Sequence, residues 1–339
     1  MDVERTSRRA TDGRIRRPTM LDVAREARVA LRTVSRVVNE DPKVGPELAV
    51  RVRAAISALD YQPDERAQQL RRGTSRTIGA AVRSFSEGHP ILREIELAAR
   101  AAKLTLLAMS TEDDEQRERE AVLSMGRRRV DGIVFEPIGI NHDYLLPEIE
   151  AGMPIVAFDR PAGIYIDCVL SDNAAGVGMA YRHLTLRGHR RIAYIGDDER
   201  IFTGRERAGA FRASVAAAGG SLDGMVHSGP IDPRRIAAAL DAALNNGTPA
   251  TAIITGNADA SVEVVRQLGA GSARLAMVGF DDFALAELLR PGLTVIAQDP
   301  ATIGRTAIDL IIARAADPTR AIQSVTVPVT LIERGSGEL

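Results

Sequence analysis

Apolar residues recur three and four positions apart through residues 20–59 and then give way to short apolar runs, so two kinds of structure follow one another along the chain. The helical spacing predicts helices at Met20–Ala27, Leu31–Val38 and Pro46–Leu59. Asp41-Pro42 and Val44-Gly45 mark the second connection, and Tyr61-Gln62-Pro63 ends the third helix before a polar stretch, Asp64–Gly73. From Thr77 the predicted strands are Thr77–Val82, Leu104–Met109, Gly132–Phe135, Ile155–Phe158 and Cys168–Ser171. Five more follow at Ile192–Ile195, Ala252–Thr255, Leu275–Val278, Thr294–Ala297 and Val325–Val329. Amphipathic stretches such as Ala174–Leu186, Arg205–Ala218, Arg234–Asn245 and Ser261–Leu268 lie between them. This alternation predicts parallel sheets with helices on both faces. The expected fold class is a small all-α head followed by α/β, in two doubly wound parallel-sheet subdomains. Residues 1–17 are polar and Arg-rich without an apolar period, and read as a disordered basic arm.

Composition limits the function. With 339 residues, 45% of them hydrophobic, the chain can bury two or three cores. No apolar stretch approaches the roughly 18 residues of a membrane span, and the first 17 residues contain no apolar signal core. A cytoplasmic protein without a membrane partner is expected. Cys168 is the single cysteine, which excludes an internal disulfide, and His89, His142, His183, His189 and His227 do not fall at metal-ligand spacing. No metal or cofactor is expected. The net charge of −1 conceals an asymmetry, because residues 1–75 carry sixteen Arg and Lys against eleven Asp and Glu while the remainder is acidic by six. A basic head on an acidic body suits nucleic-acid binding, and a solvated basic tail gives the same count. Enzyme motifs are absent: there is no G-x-S-x-G, no P-loop and no H-E-x-x-H. Gly176-Val177-Gly178 is followed by Tyr181 where a dinucleotide fingerprint needs Gly, so both glycines read as helix packing.

Within the head, Thr19 stands three residues before Asp22 at a predicted helix start, a capping-box pattern with Asp in place of Glu. On the second helix Val34, Val37 and Val38 are predicted to face inward. Leu31, Arg32, Thr33, Ser35 and Arg36 then face outward, where arginine can read guanine edges and hydroxyls can hold phosphates. An ordinary surface helix with a charged solvent face shows the same pattern. The wording of TMLDVAREARVALRTVSRVVNEDPKV, continued in YQPDERAQQLRRGTSRTIG, closely resembles the head of LacI/GalR-type transcriptional regulators. That resemblance implies a DNA-binding domain at 18–63 with a helix-turn-helix over about 20–39. Thr19, Leu31, Arg32, Thr33, Ser35, Arg36 and Asn39 would lie on a double-stranded operator. It also implies a hinge helix and linker at 64–75, with Asp64 as N-cap, Ala67 as the close-approach residue and Leu70 as a minor-groove wedge. Wedging works when two subunits share one site, so a homodimer is implied. Family members commonly carry Gly where Arg28 stands and Ser where Ala30 stands. The Ser cap is worth about 1 kcal/mol, and the turn at 28 favours Gly.

The resemblance runs from residue 18 to about 333. It includes RRVDGIVFEP (128–137), GMPIVAFDRP (152–161), SDNAAG (171–176), RGHRRIAYIG (187–196), GRERAGAF (204–211), VGFDD (278–282) and GLTVIAQD (292–299). These imply a periplasmic-binding-protein-like effector and dimerisation domain at 76–339. Its first subdomain is expected at about 76–172 plus 300–330, its second at about 173–299. Open parallel sheets bind small molecules at the carboxyl ends of their strands. Asp159, Arg160, Asn257, Asp281 and Gln298 follow predicted strands and Arg205 opens a predicted helix, so these six are the candidate effector contacts. Their carboxylate, amide and guanidinium groups suit the hydroxyls of a sugar or polyol. Arg83, Arg160 and Arg205 leave a phosphorylated or acidic ligand as the second choice, and a purine as the third. The Arg83–His89 loop is short and lacks the family's usual Asn-Pro-Phe-Phe, and Ala258 replaces the common Asp of an Asn-Asp pair. The function implied is a dimeric repressor controlled by a small-molecule effector.

Overall fold

The structure, a computed structural model, describes residues 17–39, 41–62, 73–85, 90–245, 247–269 and 275–339. It divides into two compact units, one within residues 1–75 and one spanning 76–339. The expected arm, apart from Arg17, and the expected hinge helix with Ala67 and Leu70 lie outside the described residues.

The first unit contains α1 (Met20–Glu26), α2 (Leu31–Val38) and α3 (Pro46–Ala58). Thr19 begins α1 with a complete capping box: the Asp22 amide donates to Thr19 Oγ1 at 3.4 Å, and the Thr19 amide donates to Asp22 Oδ2 at 2.9 Å. Pro46 occupies the first turn of α3, where its missing N–H is not needed. Val23, Ala24, Ala27, Val34, Val37, Val52, Ala55 and Tyr61 form the core, with half-buried Val38 at its margin. The turn into α2 bears out both expected weaknesses. Arg28 sits in the left-handed region at φ 52°, and Ala30 offers no side-chain cap. Arg51 on α3 braces this turn, its Nη2 donating to the carbonyl oxygens of Ala27 at 2.6 Å and Arg28 at 3.2 Å.

The second unit runs β1 (Thr77–Val82), α4 (Pro90–Ala101), β2 (Thr105–Ser110), α5 (Glu115–Arg127), β3 (Gly132–Phe135), α6 (Leu146–Glu150), β4 (Ile155–Phe158) and β5 (Asp167–Ser171). Next come α7 (Asn173–Leu186), β6 (Ile192–Gly196), α8 (Phe202–Ala217), β7 (Val226–Ser228), α9 (Pro233–Leu244), β8 (Ala252–Thr255), α10 (Ala258–Leu268) and β9 (Ala276–Phe280). The chain ends with β10 (Thr294–Ala297), α11 (Pro300–Ala316), β11 (Ser324–Val327) and β12 (Thr330–Ile332). One six-stranded sheet has the order β11-β5-β4-β3-β1-β2 and is parallel throughout. The other has the order β12-β10-β9-β8-β6-β7, with β12 antiparallel to β10. Helices cover both faces of each sheet. Ile95 of α4 and Ile308 of α11 pack on one face of the first and Met125 of α5 on the other. Leu184 and Phe211 of α7 and α8 oppose Leu240 and Val264 of α9 and α10 across the second.

Two sequence expectations need correction. The strand expected at Val325–Val329 stops at Val327, because Pro328 has no amide to continue the ladder. From Thr330 the chain joins the other sheet as β12. Of the two glycines read as helix packing, Gly176 is one: a β-carbon there would lie 2.6 Å from the Phe280 ring and 2.9 Å from Ile296. Gly178 meets nothing within 4 Å. The chain passes between sheets three times, at 171–173, 297–300 and 327–330. The Ser171 hydroxyl donates to Gln298 Oε1 and ties the first two passages together.

Candidate functional site

The first unit presents a polar face along α2. Leu31, Arg32 and Arg36 are exposed, while Thr33 and Ser35 are half-buried. Arg36 Nε lies 3.1 Å from Asp41, and Asn39 Nδ2 donates to the Ser35 carbonyl at 2.7 Å. Leu31 is 47% exposed at the first turn of a helix whose inner face has ample apolar surface, so its position is not explained by packing. Thr19 Oγ1 donates to Asp22 Oδ2 at 2.7 Å and is occupied by its cap.

In the second unit, strand order fixes where a small molecule can sit. An open parallel sheet leaves a crevice outside the carboxyl ends of the two strands from which successive connections diverge. In the first sheet those strands are β1 and β3, and the residues after them are Arg83 and Glu136. In the second they are β6 and β8, followed by Asp197 and by Gly256-Asn257. The two crevices face each other, since Arg83 Nη1 lies 3.8 Å from Asp259 at the start of α10. Arg83 also contacts Asp113 at 3.6 Å and Glu136 at 4.0 Å. Burial opposes its charge, yet Glu136, Asp113 and Asp259 together hold its pKa above the ordinary value.

The same local device stands on both sides of the cleft. β4 and β9 each end in Phe followed directly by Asp, and both aspartates adopt left-handed backbone, Asp159 at φ 64° and Asp281 at φ 68°. Asp tolerates this region better than most residues, and such strain concentrates at ligand sites. On the first side, Arg160 reaches Asp159 at 3.3 Å, Glu136 at 3.6 Å and the Pro137 carbonyl at 3.4 Å. Burial pushes the Asp159 carboxyl above the usual range against the pull of Arg160, and Glu136 adds to the rise. On the second side, Gln298 Nε2 donates to Asp281 Oδ1 at 2.6 Å. Arg207, only 4% exposed, donates to Asn173 Oδ1 and the Gly256 carbonyl at 2.7 Å each and to Asp281 Oδ2 at 3.2 Å. Its guanidinium carbon lies 3.8 Å from the Phe280 ring centroid. Asn257 caps α10 through Oδ1 and donates from Nδ2 to Asp197 at 3.0 Å.

The structure thus brings Asp159, Arg160, Asn257, Asp281 and Gln298 to one cleft. Arg205 is not among them: it is exposed, its Nη1 pointing to the Glu199 carbonyl at 3.5 Å. Arg207 takes the interior place, Arg83 joins the cleft as a residue expected only toward an acidic ligand, and Glu136, Asn173 and Asp197 are further members without a sequence signal. Tyr194 also reaches the floor: its Oη is buried with no hydrogen-bond partner among the described residues, and a β-carbon on Gly256 would lie 2.5 Å from it. Burial raises its pKa to far above the physiological range.

Two polar clusters lie apart from the cleft. Beneath the first sheet, His142 is fully buried, with Nδ1 2.7 Å from the Ala162 carbonyl and Nε2 3.0 Å from Glu118 Oε1. A carbonyl only accepts, so Nδ1 carries a proton. Burial works against a charged ring, but the bonds to Glu118 and Ala162 outweigh it and raise the pKa. Near the C-terminus, His183, Glu333 and Glu338 bring ligand-type atoms within 4.8 Å of one another. Arg187 already supplies the cation there, 3.1 Å from His183 Nδ1 and 3.2 Å from Glu333, so the cluster fastens the last residues to α7.

Comparisons with known proteins follow the same division. The model for bacterial regulatory proteins of the lacI family matches residues 19–64, and that for a periplasmic binding protein-like domain matches 181–337. The ribose operon repressor of Escherichia coli (strain K12) is 30% identical over 330 residues, covering 94% of this chain and 99% of the relative. The Lac repressor dimer, solved bound to operator and the anti-inducer ONPF, shares the fold with a TM-score of 0.83 at 23% identity, covering 95% of this chain and 99% of that one. The transcriptional regulator CelR in complex with cellobiose gives a TM-score of 0.68 at 26% identity, over 95% and 100% of the two chains.

Proposed function

Because the chain belongs to the lacI family of bacterial regulatory proteins, we propose that it is a repressor that binds a palindromic operator as a homodimer and releases it when a sugar or related polyol fills the cleft. It is a DNA-binding transcriptional regulator and not an enzyme. The observation that carries the effector reading is the pair of facing crevices, each lined by a buried arginine and a half-buried aspartate that donate and accept hydrogen bonds, Arg160 with Asp159 and Arg207 with Asp281. Vicinal hydroxyls both donate and accept, and match such groups. Relatives named for a ribose operon and solved with cellobiose support a polyol. Leu31, Arg32 and Arg36 are the proposed base readers, with Thr33, Ser35 and Asn39 on the backbone and Leu70 as the wedge. Thr19 contributes by fixing α1. The work is done on cytoplasmic DNA. No described helix is long and apolar enough to cross a membrane.

Release requires the effector to bind the DNA-free arrangement better than the DNA-bound one, since a ligand shifts a two-state equilibrium only by its differential affinity. The test is selection of genomic DNA fragments by the purified chain, repeated on the recovered site with sugars present. A palindrome whose binding a sugar weakens is the expected result. Sequence-independent, salt-sensitive binding alone would overturn the operator reading. Unchanged operator affinity in Leu70→Ala would remove the wedge from the mechanism.

A further inference from the structure

The cleft holds more carboxylates than its guanidiniums can balance. Arg83 is divided among Asp113, Glu136 and Asp259 at 3.6–4.0 Å. Arg160 is divided between Glu136 and Asp159, and Arg207 is bonded to Asp281 at 3.2 Å. Asp197 meets no guanidinium among the described residues. Its Oδ1 accepts the Asp198 amide and its Oδ2 accepts Asn257 Nδ2, both at 3.0 Å. Among the described residues, then, six carboxylates face three guanidiniums, and each guanidinium is already committed. Arg205 does not redress the balance, because it lies exposed beside Glu199.

An anionic ligand would have to separate one of these ion pairs and add to the excess of negative charge. A cation would reduce that excess, and the effect is amplified where water is displaced. An ammonium group offers three donors and no acceptor, the complement of an ionised carboxylate. Resting on the effector reading above, we infer that the ligand of this cleft carries a protonated amine beside its hydroxyls, as an amino sugar does, and that sugar phosphates and sugar acids are excluded. Asp197, the carboxylate without a cation, is its acceptor.

Calorimetric titration of the full chain at mildly acidic pH decides the matter. The probes are glucose, glucosamine, N-acetylglucosamine, glucose 6-phosphate and gluconate, with the galactose series beside them. In one series the free amine is expected to bind about tenfold or more tighter than its parent sugar. Acetylation, which removes the charge, should abolish that advantage, and the phosphate and acid should not bind. Asp197→Asn keeps an amide-compatible contact to Asn257 and should bring the ratio of amine to parent affinity toward one. Equal affinity for amine and parent, or binding of the phosphate or acid as tightly as the parent, overturns the charge inference and leaves the polyol reading standing. Failure of every probe, neutral sugars included, overturns the polyol reading itself.

Discussion

The strained turn at Arg28 and the uncapped start of α2 predict that the DNA reader can be stabilised without touching its base-reading face. Arg28 is exposed, its φ of 52° lies where a β-carbon is crowded, and the bonds it makes to Arg25 and Arg51 use only its backbone. A left-handed residue other than glycine costs roughly 1–2 kcal/mol. Glycine also loosens the unfolded chain by about 0.4–1 kcal/mol, so Arg28→Gly should gain about 0.5 kcal/mol. Ala30 holds extended backbone at the N-cap of α2 with no side-chain bond. Ala30→Ser should gain about 1 kcal/mol by accepting an amide of the first turn. The pair would raise the local opening free energy of the head by about 1.5 kcal/mol, slowing exchange of its protected amides roughly tenfold. Hydrogen-exchange mass spectrometry on the full chain reads this in peptides covering Val34 and Val37, with peptides of the second sheet as internal control. Unchanged or faster exchange in Arg28→Gly would refute the assignment of strain to that turn, and the same result in Ala30→Ser would refute the missing cap.

Three further outcomes are expected. Arg207→Lys keeps the charge but not the planar fork joining Asn173, Gly256 and Asp281, so effector affinity should fall about tenfold or more while operator binding persists; equal loss of both would mean that Arg207 is only structural. The raised pKa of His142 adds stability that is fully present below the ordinary histidine value and is lost as pH climbs through the raised folded value. Thermal melts should therefore fall on going from mildly acidic to alkaline buffer, and Glu118→Gln should flatten that dependence; a mutant with the same slope as the parent would refute it. Tyr194→Phe removes a buried hydroxyl that lacks a partner, so it should leave stability unchanged or raise it by about 1 kcal/mol, as read by chemical denaturation. A loss of more than that would show that the hydroxyl is bonded.

Periodicity served well wherever an element was long enough to show it. The three helices of the head and strands such as Gly132–Phe135 and Ala252–Thr255 stand within a residue or two of their expected limits. The strands that escaped notice, Val226–Ser228 and Thr330–Ile332, are three-residue edge strands, too short for any pattern to emerge. The confusion of Arg205 with Arg207 has a different cause. Residues two apart on a helix lie on nearly opposite faces, and Arg207 is in phase with the buried Gly204, Ala208, Phe211 and Val215, whereas Arg205 is not. The stripe was visible in GRERAGAF, but an arginine was not expected on it, because the carboxylate that neutralises it, Asp281, lies 74 residues away in sequence. Glu136 and Asp197 escaped for a related reason: they matter through strand order, which local pattern does not reveal.

The three passages between sheets bear on how the protein is made. The first sheet is not a continuous piece of chain, for it needs β11 at its edge and Ile303, Ala307 and Ile308 of α11 in its core. A ribosome must therefore synthesise the chain through Val327 before the first sheet is complete and through Ile332 before the second is, whereas the helices of the head close among residues 19–61 and can form as soon as they emerge. During translation the reader is finished long before the part that is meant to govern it. A message cut short before α11 would yield a head with no complete sheet to control it.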